Sequence, residues 1–113
     1  MLKNLFIISF FASNVLWAAE KRAVVVEIYG KGPAVDRAAY QLVRDVFARN
    51  LSNTRIDKFV VNGYGIEGGF SACAQLTRWQ KVEVLDDIVA EFNAVQPNPR
   101  TTSYKVETAD ACK

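Results

Sequence analysis

The chain has 113 residues, half of them hydrophobic, with 14 basic and 12 acidic side chains, a formal net charge of +2 and no histidine. A nearly balanced and dispersed set of charges gives nucleic acid no concentrated basic surface to bind, so no nucleic-acid partner is expected. The missing histidine removes the usual neutral-pH general base and the commonest zinc and copper ligand, which excludes histidine triads, histidine metal sites and histidine phosphorelays.

The chain opens with Lys3, an apolar run from Leu5 to Phe11, and small and polar residues leading to Ala18 and Ala19. This reads as a secretory signal peptide over residues 1–18. Cutting after Ala19 instead would put bulky Trp17 where a small residue is preferred. A membrane anchor is the competing reading. A span needs roughly twenty apolar residues, however, and Ser9, Ser13 and Asn14 interrupt this one. Residues 19–113 then form a single small α+β domain of net charge about +1, periplasmic or secreted, with no stable membrane anchor after cleavage.

Arg22 to Gly30 is rich in β-branched residues, with Val24, Val26 and Ile28 alternating against Val25, Glu27 and Tyr29, and predicts the first strand. Gly30 and Gly32 turn the chain, and Pro33 suits the first turn of a helix, where its missing N–H is no loss. Val35, Ala38, Ala39, Leu42, Val43, Val46 and Phe47 then recur at helical spacing, fading around Asn50 to Asn53. Arg55 to Asn62 predicts the second strand. Asn62 to Gly69 carries four glycines and reads as a turn or exposed loop. Phe70, Ala72, Ala74 and Leu76 form the apolar side of the third strand, with Cys73 opposite. Thr77 and Gln80 match a capping box that would open a second helix, with Trp79, Val82, Leu85, Ile88, Val89 and Phe92 as its buried stripe. Pro97 and Pro99 end it. Thr101 to Thr108 supplies the fourth strand, with Tyr104 and Val106 inward.

The order β-α-β-β-α-β predicts a two-layer, ferredoxin-like sandwich: an antiparallel four-stranded sheet, strands lying as four, one, three, two, with two helices on one face. An even count of two cysteines in a small exported domain makes a Cys73–Cys112 disulfide the leading reading, with free or intermolecular thiols as the competitor. Strands three and four are two spacings apart in that sheet, farther than a disulfide reaches. The tail must therefore fold back over the open face for the bridge to close. With about forty residues in the loop, the chain-entropy account gives roughly 4 kcal/mol of stabilisation as an upper figure.

No CxxC, Walker loop, EF-hand loop or GxSxG elbow is present, and no cofactor, metal site or catalytic residue is assigned. Three weaker groupings remain. Lys31, between Gly30 and Gly32 before a helix, could hold an anion, although an ordinary strand-to-helix turn accounts for it as well. Glu83, Asp87 and Glu91 stand at spacing four, either as a hard-cation collector or as a solvated face paired with Arg37 and Arg44. Tyr64, Ile66, Glu67 and Phe70 place aromatic, apolar and acidic groups on the glycine-rich loop, where rigid scaffolds usually carry recognition. Asn50-Leu51-Ser52 is a glycosylation sequon. In layout the chain is similar to acylphosphatases. The likeness is confined to topology and the first loop, where Lys31 stands in place of that class's arginine and only Asn62 could stand for its strand-two asparagine. It implies hydrolysis at a phosphoryl or acyl group.

The leading expectation is an exported, periplasmic, non-enzymatic binding domain whose glycine-rich loop and open sheet face take another envelope protein or a small ligand. The alternatives are a small phosphoryl or acyl hydrolase or transferase with its anion site at Lys31, and a structural envelope component.

Overall fold

The computed structural model describes residues 20–32, 34–64 and 68–113; the expected signal peptide, Pro33, Gly65, Ile66 and Glu67 lie outside them. The elements are β1 (Ala23–Gly30), α1 (Arg37–Ser52), β2 (Ile56–Tyr64), β3 (Phe70–Leu76), α2 (Glu83–Asn93) and β4 (Thr102–Ala109). Together they form an α+β fold with a four-stranded sheet in the order β2-β3-β1-β4 and every neighbouring pair antiparallel.

Register follows from the alternation of side chains. Val26 lies opposite Ala72 and Val106, and Ala72 in turn opposite Val61, so one row of small and β-branched residues crosses all four strands. This face meets both helices: Val24, Val26, Ile28, Phe70, Ala72 and Leu76 share one buried cluster with Val43, Val46 and Phe47 of α1 and Leu85, Ile88 and Phe92 of α2. Phe47 is central to it, its ring 4.6 Å from Phe92 and 4.8 Å from Phe59 between centroids, in the tilted geometry that aromatic pairs favour. The Tyr104 hydroxyl donates to the Phe92 carbonyl at 2.6 Å, and burial pushes its pKa up to about 12.

Both helices start later than the sequence signals suggest. α1 begins at Arg37, because Asp36 caps it: its carboxylate accepts from the Ala39 N–H at 3.2 Å while its own N–H donates to Thr102 Oγ1 at 2.8 Å. α2 begins at Glu83, and the Thr77–Gln80 capping box does not form. Thr77 instead donates its hydroxyl to the Thr54 carbonyl at 2.5 Å. The guanidinium of Arg22 donates to the carbonyls of Thr77 and Gln80 at 3.0 and 3.1 Å and, more weakly, to that of Arg78 at 3.3 Å. Those distant partners hold residues 77–80 as a turn, and Trp79 leaves the expected buried stripe to stand 77 % exposed.

β2 runs two residues past its expected end, to Tyr64, with a register shift between Val61 and Gly63. At the start of β3 a side chain on Gly69 would collide with the carbonyl of Ile28, so glycine is required there for β3 to approach β1; Gly68 takes φ +86°.

The other face of the sheet is covered in part by the C-terminal tail. Cys73 and Cys112 form a disulfide with Cα atoms 5.7 Å apart, within the ordinary range. The Cys112 N–H donates to Gln75 Oε1 at 2.9 Å, and Lys58 Nζ donates to the Cys112 carbonyl at 3.1 Å. The tail so held buries Ala23 and packs against Val25, Val60 and Ala109.

Candidate functional site

β2 is an edge of the sheet, and α1 stops short of covering it. Phe59 and Val61 consequently point to the helical side yet remain 38 % and 37 % exposed. Between them and α1 lies a groove of about 470 Å³. Tyr40, Arg44, Phe47, Ala48 and Leu51 form its helical wall, and Phe59, Val61 and Phe70 form its sheet wall. A second, more polar hollow of about 550 Å³ adjoins it at Tyr40 and Arg44 and is completed by Ala34, Val35, Arg37, Gln41 and Gly68. The two together run from the C-terminal half of α1 to the rim of the β2–β3 loop. Among the described residues neither Arg37 nor Arg44 has an ion-pair partner. Asp45, one position on from Arg44, accepts from Gln41 Nε2 at 3.0 Å. The site is thus an aromatic trough with two guanidinium groups at one end.

The sequence candidates are distributed unevenly around it. Phe70 is 4 % exposed, with its ring edge-on to Tyr40 at 5.3 Å, so it is a core residue whose surface closes the trough rather than a projecting loop residue. Tyr64 closes β2 in register with Phe70, and Ile66 and Glu67 lie outside the described residues. Lys31 is not part of the groove. Its Nζ donates to the Pro99 carbonyl at 2.9 Å and its N–H to the Thr101 carbonyl at 2.8 Å, tying the β1–α1 connection to the α2–β4 connection. Nor does it stand at a helix N-terminus as the anion reading requires. α1 starts six residues further on, and the Asp36 carboxylate already occupies that end, held below its ordinary pKa by N–H donation from Asn98 and Ala39. Asn62 is exposed on β2.

Glu91 has partners other than the expected Arg37 and Arg44: Arg49 at 2.7 Å, Arg55 at 2.9 Å and the Asn50 amide at 3.2 Å. Among the described residues no three acidic or thiol side chains converge as a metal site. Asn50 is fully buried and also donates to the Val46 carbonyl at 2.8 Å, which closes the sequon to a glycan in the folded protein.

The residues missed from sequence are Arg44, Phe47, Phe59 and Val61. A signal was present in Phe59-Val60-Val61, three apolar residues in a row on a strand that the expected topology puts at a sheet edge. Compared with protein-family models, with curated proteins and with solved structures, the chain matches none. The disulfide fits an oxidising compartment, and among the described residues no helix is long and apolar enough to cross a membrane.

Proposed function

We propose that this is a small exported, non-enzymatic binding domain of ferredoxin-like layout, and that it recognises another envelope protein through the β2–β3 loop and the groove beside it. The observation that carries the reading is the aromatic trough under Phe59 and Val61, an apolar surface at a sheet edge that is exposed among the described residues. Phe70 forms its floor. The open sheet face contributes less than the sequence suggested, because the tethered tail occupies part of it. The hydrolase alternative is less well supported, because Lys31 donates to the Pro99 carbonyl rather than standing at a helix N-terminus.

Wild-type protein and a Phe59→Glu, Val61→Glu form, both immobilised, test this with an extract of the cell envelope. Both side chains are partly exposed, and circular dichroism checks that the variant keeps its fold. The variant is expected to retain a smaller set of proteins than the wild type. An identical retained set overturns the proposal.

A further inference from the structure

The two edges of the sheet differ in how they are guarded. On β4, Lys105 and Glu107 form an ion pair at 3.1 Å on the outer face, and Tyr104 and Val106 pack into the core on the other; charge and burial together discourage a further strand. On β2 the stretch Phe59-Val60-Val61 carries no charge, and its helix-facing side chains open into the trough. As an edge strand, β2 sends alternate backbone N–H and C=O groups outward, and among the described residues no further strand receives them.

We infer that the occupant of this site is an extended segment of another polypeptide that adds to β2 as a fifth strand, placing one apolar side chain in the trough and a carboxylate side chain beside Arg44. This rests on the binding-domain reading and specifies its ligand. Strand addition draws affinity from main-chain hydrogen bonds and selectivity from pockets that accept alternate side chains, which is the pairing of edge and trough seen here. Charge specifies the incoming segment. Arg37 and Arg44 make the loop-side end of the trough cationic, so an acidic residue in the incoming segment is complementary. A second copy of this chain, paired β2 to β2 about a two-fold axis, is the competing occupant, and the oligomeric state distinguishes it.

The test pans a random heptapeptide display library against the disulfide-bonded protein and remakes the enriched sequences as synthetic peptides. The expected peptides alternate apolar residues and carry at least one Asp or Glu. Arg44→Glu is expected to weaken them at least tenfold, with recovery when the peptide acid is replaced by lysine. N-methylation is expected to weaken binding at least tenfold at every second position only, and amide exchange should slow along residues 56–64. Peptides that lose binding to the Phe59→Glu protein yet tolerate N-methylation everywhere overturn strand addition while leaving the binding-domain reading in place. If no peptide is enriched and the envelope extract also yields the same proteins for wild type and variant, both readings fail. A chain that sediments as a dimer, dissociated by Val61→Glu, overturns the peptide occupant in favour of a second copy.

Discussion

On one side of the sheet, two helices and the aromatic side chains around Phe47 exclude water by sheer area. On the other, a short tail of Asp110 to Lys113 does a similar job over Ala23 and Val25 with almost no apolar surface of its own. The first cover is held by burial, at about 25 cal/mol for each Å² of apolar surface removed from water, and needs no covalent link. The second has too little area to hold itself, and is fixed by the Cys73–Cys112 bond and by the two hydrogen bonds from Lys58 and to Gln75. The lesson is that a disulfide is most useful where packing is thinnest. It here secures a lid that hydrophobicity alone would leave loose.

Two variants separate the two covers, and a third probes the polar seam beside the helical one. Phe92→Ala opens a cavity under α2 beside Phe47 and should cost about 3–5 kcal/mol, read as a shift in urea midpoint; a loss under about 1 kcal/mol would mean that the helical cover is not held by burial. Replacing both cysteines by serine should cost about 2–4 kcal/mol. Amide exchange should accelerate at the tail and the start of β1 but hardly in α1 and α2. Uniform acceleration would show that the two covers act as one. Glu91→Gln probes the polar seam where α1 and the α1–β2 connection meet α2 and should cost about 1 kcal/mol at neutral pH, a modest figure because the carboxylate keeps 25 % of its surface.

That last effect has a definite pH dependence. Burial pushes the Glu91 carboxyl up, but hydrogen bonds from Arg49 and Asn50 and the charges of Arg49 and Arg55 outweigh it, leaving its pKa below the ordinary 4.5. The unfolded chain therefore takes up the proton first as pH falls. The stabilisation is complete above about 4.5 and is lost as pH falls through the lower folded value. The wild type and Glu91→Gln should converge in stability in that acid range. A gap that persists at pH 2 would assign the seam to packing rather than charge.

What could be read from the residues was the part governed by local periodicity: the six elements, the inward rows of β1 and β3, the tail folding back to Cys73. What could not was set by partners far along the chain. Thr77 looks like a helix cap until Thr54 and Arg22, 23 and 55 residues away, take up its hydroxyl and carbonyl. Trp79 looks buried by spacing until that turn carries it outward. The trough was legible only in part, for a related reason. Alternation puts Phe59 and Val61 on one face of the second strand, and only the packing of α1 decides that they stay partly exposed there.

The strand order carries a consequence for the making of the molecule. Cut at the β2–β3 loop, the chain gives one piece with β1, α1 and β2 and another with β3, α2 and β4. In the sheet their strands alternate, so each of the three pairings joins one piece to the other and none lies within a piece. Neither fragment can build any of this sheet alone. A protein severed between residues 64 and 68 should therefore behave as two interdependent halves, each unfolded in isolation and each the template on which the other becomes ordered.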